Sequence, residues 1–168
     1  DHMTNSAAQI QLFEALGSSP PRLGHLSLLT DISGEGLSKR LGSLSLKDLR
    51  QEGFQPMAIS SLLSKVGTSD AIDIFKNINQ IIDDFDINKF GKSKPKFDKV
   101  ELLNLNAKFF QLTNFNDISN QLNTLDFEIT AEFWNLIKGN INTFNDIKFW
   151  WDIVYGKIKT INDDHEFT

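Results

Sequence analysis

Nine residues, "GEGLSKRLG" (34–42), hold three glycines, a serine and two adjacent cations, Lys39 and Arg40. Short apolar runs flank them, "HLSLL" before and "SLSLKDL" after. A glycine-flanked Lys-Arg pair on a pliant loop can close over a polyanion and set an ammonium group against developing charge. Two unit charges about 4 Å apart at an effective dielectric near 20 attract by roughly 4 kcal/mol. Attraction that grows in the transition state accelerates a reaction, and the glycines let the loop open for product release. Spacing alone also allows a simpler reading, an exposed basic turn ahead of a helix.

Other chemistry is scarce. The histidines stand at 2, 25 and 165, far apart, and the chain has no cysteine, so neither a zinc site nor a disulfide is expected. G-x-S-x-G and a Walker loop are absent. The acidic clusters "DDFD" (83–86) and "NDDHEF" (162–167) read as helix ends and solvated surface. No carboxylate pair forms an acid/base couple.

The elements that must position the loop read as helices. "TNSAAQIQLFEAL" (4–16) has helical apolar spacing and Gly17 as its stop. "SSPPRLG" is a loop, because paired prolines break regular structure. "HLSLLTD" nearly alternates and suggests a short strand leading into the glycine-rich turn. Beyond Ser43 almost everything is helical. Ser45 is placed to cap one helix that Gly53 ends, and Pro56 sits in the first turn of the next. Ser69 is the expected cap of a third, "SDAIDIFKNINQIIDDF". A basic linker follows, then a long helix from about Asp98 through Leu112 and three more within "NDISNQLN", "TAEFWNLIKGNIN" and "FNDIKFWWDIVYGKIK". The late aromatics predict a core between the last two helices. Phe149, Trp150 and Trp151 are consecutive and cannot share one helix face, so one of them should reach the surface.

A chain of 168 residues makes one medium domain or two small ones. The formal net charge of −5 is unevenly spread. Residues 1–100 hold twelve Lys/Arg and twelve Asp/Glu, whereas residues 101–168 hold five and ten. A polyanionic partner should therefore meet the first part. Seven of the ten glycines precede residue 70, which indicates a looped first segment and a helical second one. No apolar run approaches the roughly 20 residues of a membrane span.

At the loop a resemblance enters. "GEGLSKRLG" resembles the lysine-signature loop of class I aminoacyl-tRNA synthetases, usually written K-M-S-K-S. The surroundings are similar to the bacterial glutamyl-tRNA synthetases. "DHMTNSAAQIQLFEALG" resembles the segment closing their catalytic domain. "LSKRLGSLSLKDLRQEGFQPMAISSLLSKVGTSD" is similar to their loop and stem-contact helices, and "FDINKFGKSKPKFDKVELLNLNAKFF" to the junction into the anticodon-binding part. "FWWDIV" resembles a late helix of that region.

The resemblance implies a mainly α chain in three parts. Residues 1–42 would be a catalytic-domain remnant, 43–90 a helical stem-contact domain and 91–168 the start of an all-helical anticodon-binding domain. It implies ATP-dependent activation of glutamate and its transfer to tRNA-Glu, with Mg accompanying the ATP, in a monomeric cytoplasmic enzyme with no membrane contact. Gly36, Leu37, Ser38, Lys39 and Arg40 would form the ATP loop, Lys39 meeting the phosphates. Gly36 replaces the pattern's first lysine. Asp1, His2 and Asn5 match a segment near the catalytic pocket. Lys89, Lys92, Lys94, Lys96 and Lys99 are the candidate RNA contacts. The H-I-G-H signature and glutamate pocket belong upstream in the family, so this length of chain should hold no cofactor tightly and charge no tRNA alone. The alternative is a non-catalytic helical protein-interaction module derived from a synthetase.

Overall fold

Residues 3–37 and 45–156 are described by the computed structural model of the chain. It is mainly α, as expected. Eight helices are assigned among the described residues: α1 (Met3–Ala15), α2 (Leu46–Gln51), α3 (Pro56–Lys65), α4 (Ile78–Asp84), α5 (Lys99–Leu112), α6 (Phe115–Leu122), α7 (Ala131–Ile137) and α8 (Asp146–Tyr155). A single 3-10 turn, Ile87–Lys89, follows α4. The chain divides into two compact units, each drawn from two separate stretches: Asp1–Leu44 with Ser60–Lys99, and Ser45–Ile59 with Val100–Thr168.

In the first unit, α1 forms where its periodicity predicts, and Gly17 ends it with φ of +73°. None of its residues is buried, and Leu12 and Leu16 stand largely exposed. The expected strand over "HLSLLTD" does not form. Thr30 makes two isolated bridges instead, antiparallel with Gly36 and parallel with Lys96.

The helix expected from Ser69 starts later, at Ile78. Asn77 caps it, accepting from the Gln80 amide at 3.1 Å, while the Gln80 side chain accepts from the Lys76 amide at 2.8 Å. That reciprocal pair satisfies two free amides at the helix start. Residues 69–77 are held out of the helix by other partners. The Asp70 carboxylate turns to Lys65 and Lys89, and the Ser61 hydroxyl accepts from the Phe75 amide at 3.0 Å.

In the second unit, Ser45 caps α2 through the Asp48 amide, as its position in the sequence indicates. Gly53 then turns the chain at φ of +87°. A Cβ there would stand 2.9 Å from the amide nitrogens of Phe144 and Asn145, so glycine is required on two counts. Its carbonyl accepts from the Phe144 amide at 3.0 Å. Fully buried Asn106 joins the two stretches. Its carbonyl oxygen accepts from the Gln55 amide at 2.7 Å, and its amide group donates to the Asn142 carbonyl at 2.5 Å.

The core gathers Phe110, Ile118, Leu122, Phe133, Trp134 and Ile147 from α5 to α8. The Trp134 indole donates to the Thr113 carbonyl at 3.1 Å, which satisfies its one polar atom. Trp150 and Trp151 pack against this cluster, while Phe149 is 63% exposed. Most of the late aromatics are therefore core, with Tyr155 and one of the consecutive three, Phe149, at the surface.

Candidate phosphate-binding site

Ser38, Lys39 and Arg40 lie outside the described residues. The chain leading to them is described through Leu37. From Thr30 to Gly36 it makes a tight turn with Gly34 at φ of +91°. The Asp31 amide donates to the Glu35 carbonyl at 2.8 Å, and the Gly34 amide to the Asp31 carbonyl at 3.0 Å. The Asp31 carboxylate accepts from the Ser33 hydroxyl at 2.6 Å and the Glu35 amide at 2.9 Å. The Ser33 hydroxyl, more than any backbone donor, holds the Asp31 carboxyl below the usual range by favouring its charged form.

Gly36 is not there for its backbone freedom. A Cβ added to it would meet only a Leu28 methyl at 3.9 Å, an ordinary contact, and its φ lies outside the left-handed region. The position accepts a side chain.

The basic linker runs beside this turn. Thr30, 1% exposed, donates its amide to the Pro95 carbonyl at 2.9 Å and accepts from the Phe97 amide at 2.7 Å. Its hydroxyl also donates to the Pro95 carbonyl, at 3.1 Å. Ser27 Oγ donates to the Lys92 carbonyl at 2.8 Å. The turn that precedes the signature loop thus runs beside the basic linker at Pro95–Phe97. A cavity of about 160 Å³ lies alongside, lined by Leu26, Leu63, Val66, Phe90, Pro95 and their neighbours. No titratable side chain lines it, so it offers packing space and no acid/base group.

The five candidate lysines divide. Lys92, Lys94, Lys96 and Lys99 are exposed, and Lys99 opens α5. Among the described residues, Lys92, Lys94 and Lys96 form no ion pair. Lys89 is committed to Asp70 at 2.8 Å, which holds its ammonium group above its ordinary pKa.

Asp70 also binds Lys65 at 2.9 Å, and Lys65 in turn pairs with Asp84 and faces the Phe75 ring at 5.8 Å. Asp84 first and Asp70 second hold Lys65 charged, raising its pKa, while Lys89 and then Lys65 depress that of Asp70. Sequence reading missed Lys65. Its one signal is a cation at the end of an apolar helix, which elsewhere marks a favourable helix C-terminus. The described residues contain no group of three or more His, Asp or Glu able to hold a metal ion. No described helix is long and apolar enough to cross a membrane.

The described residues thus set a tight turn beside an exposed basic segment in a mainly helical chain. Residues 1–104 match the family model described as tRNA synthetases class I (E and Q), catalytic domain. The chain belongs to that family.

It is 45% identical over 152 residues to the glutamate–tRNA ligase of Azospirillum brasilense, covering 89% of this chain and 34% of that protein. A glutamate–tRNA ligase of Ruegeria pomeroyi is 40% identical over the same coverage, and one of Orientia tsutsugamushi 43%. The chain therefore spans about a third of the length of these relatives. Among solved structures, the glutamate–tRNA synthetase of Elizabethkingia anophelis shares the fold, with a TM-score of 0.65 and 24% identity over 88% of this chain and 35% of that one. A glutamate–tRNA ligase of Elizabethkingia meningosepticum, solved with its amino acid, gives a TM-score of 0.66 at the same identity and coverage.

Proposed function

We propose that this chain is the tRNA-contacting carboxyl-terminal part of a cytoplasmic, monomeric glutamate–tRNA ligase. Residues 1–42 end its catalytic domain, 43–90 contact the acceptor stem and 91–168 begin the anticodon-binding part. The observation that carries this reading is the pairing of the signature-loop root with the basic linker at Thr30, inside a stretch matched by the family.

In the reaction, a glutamate carboxylate oxygen attacks the α-phosphorus of ATP and pyrophosphate leaves. A 3′-terminal hydroxyl of tRNA-Glu then attacks the acyl carbon, and AMP leaves. Negative charge builds on the departing pyrophosphate, where the Lys39 ammonium, with Arg40 beside it, stabilises it. The residues present fit a polyphosphate. Lys92, Lys94 and Lys96 on the linker are exposed, and the Asp31 carboxylate is occupied by the Ser33 hydroxyl and the Glu35 amide. A magnesium ion bound with ATP would share the phosphate charge.

In the full-length ligase, Lys39→Ala should slow adenylate formation by about 10²- to 10³-fold, the usual loss on deleting one charge-stabilising donor. Pyrophosphate exchange measures it, and a loss below about threefold removes Lys39 from the mechanism.

A protein-interaction module is the second reading. Exposed Phe149, Ile153, Val154 and Tyr155 on α8 favour it. Filter binding of tRNA-Glu at low salt separates the two. Salt-sensitive retention supports the ligase reading, and no retention supports the module.

A further inference from the structure

The stretch "SDAIDIFKNINQIIDDF" carries apolar residues at 71, 74, 75, 78, 81, 82 and 85, the spacing of one helix face running unbroken from Ala71 to Phe85. Only its second half is helical, from Ile78. We propose that residues 69–77 are a two-state segment, held out of α4 by the ion cluster around Asp70 and wound onto the start of that helix when the cluster opens. The inference stands apart from the ligase reading.

The bonds that fix the segment run through side chains. Asp70 takes Lys65 at 2.9 Å and Lys89 at 2.8 Å, and its amide donates to the Thr68 hydroxyl at 3.2 Å. The Ser61 hydroxyl accepts from the Phe75 amide at 3.0 Å, and the Phe75 ring lies 5.8 Å from the Lys65 ammonium group. The Ile74 and Lys76 amides donate to the side chains of Asp73 and Gln80, at 2.6 and 2.8 Å. Ala71, Asp73, Lys76 and Asn77 are exposed and Ile72, Ile74 and Phe75 half-buried, so winding the segment up gives away little core.

The cluster is built so that it can open. Lys65 ends α3 and is 7% exposed. Its other partner, Asp84, is the last residue of α4, which a longer helix leaves in place. The buried ammonium group therefore keeps an anion when Asp70 departs, and the heavy cost of an unpaired buried charge is avoided. The Lys89–Asp70 pair is more exposed, and pairs of that kind hold weakly.

Growth is also cheap at the helix. α4 already supplies the nucleus, the unfavourable step in starting a helix, and each residue added gains a main-chain bond. Ser69 stands ready as the new cap in place of Asn77. Asp70 and Asp73 would then lie in the first turn, where acidic side chains suit the helix dipole. Asp70 thus stabilises either arrangement, as partner of two lysines in one and as a first-turn acid in the other.

Amide hydrogen exchange, resolved by fragmentation and mass spectrometry, tests this in the full-length protein. Asn77, Ile78 and Asn79 cap or open α4 as it stands, so their amides have no helical partner four residues back. The longer helix gives them the carbonyls of Asp73, Ile74 and Phe75. Asp70→Asn removes the charge without raising helix propensity. It should slow exchange at these amides about tenfold, the shift that goes with losing two ion pairs. Lys76→Gly added to it sets a poor helix former in the new turn and should cancel most of that gain. Lys89→Ala, which spares buried Lys65, should slow the same amides by a smaller factor, and it carries the test if Asp70→Asn does not fold. Thermal melting confirms folding of each variant.

Faster exchange over residues 74–77, with Ile78 and Asn79 no slower, describes a segment that merely frays and overturns the proposal. Unchanged exchange in the variants overturns it too. A gain that survives Lys76→Gly does the same, because it does not come from helix.

Discussion

Single atoms decide much of this chain. Gly53 combines a left-handed backbone with a Cβ position 2.9 Å from two amide nitrogens. Gly53→Ala should cost about 1–3 kcal/mol through strain alone, and more if the 144–145 backbone must move. A lowered urea midpoint at unchanged slope is the expected result. Gly36→Lys should do the reverse. It removes unfolded-state freedom at a site with room, so stability should stay level or rise by up to about 1 kcal/mol. The two glycines look alike in sequence. Gly53 is legible as a helix stop, but the backbone that crowds it comes from residue 144, far along the chain. Asn106 is equally silent in sequence, because its value lies in a buried amide that reaches two distant backbone segments.

Helices were legible to within a few residues wherever a start signal and an apolar stripe agreed, as for α2, α3 and α5. The third expected helix started wrongly because Ser69 looks as good a cap as Asn77. What separates them is the Lys65–Asp70–Lys89 network, assembled from residues apart in sequence. The short strand failed for a related reason, since only Thr30 finds partners on both sides. The network titrates in a definite direction. The Asp70 carboxyl is depressed from its ordinary 3.8, so its contribution is complete above that pH and fades as acid is added. Lys65 and Lys89 are raised above 10.5, so theirs is full below that pH and fades in stronger base. Stability measured from pH 7 to pH 2 should fall less steeply in Asp70→Asn than in the parent chain. Identical slopes would show that the network does not persist in solution.

Charge sorts the whole chain. The neutral first part carries the loop and the linker, and the acidic second part supplies the whole net −5. If RNA lies along the linker, neutralising Lys92 and Lys94 in the full-length ligase should lower the magnitude of the slope of log K against log salt by about 0.7–0.9 for each phosphate no longer neutralised. An unchanged slope would leave these lysines facing water. The charge halves and the cationic runs could be read from the sequence. The pairing of loop root with linker could not, because it depends on main-chain bonds between Thr30 and Pro95 that no side-chain pattern encodes.

The interleaving of the two units has a consequence for biogenesis. Residues 45–59 leave the ribosome well before Asn106, Asn142 and Phe144, the groups that saturate and cover them. At roughly 5–20 residues per second, several seconds pass with α2 and the Gly53 turn unaccompanied. A recombinant piece starting at residue 91 would arrive without them altogether, its Asn106 amide left wanting, and should be recovered mostly as aggregate.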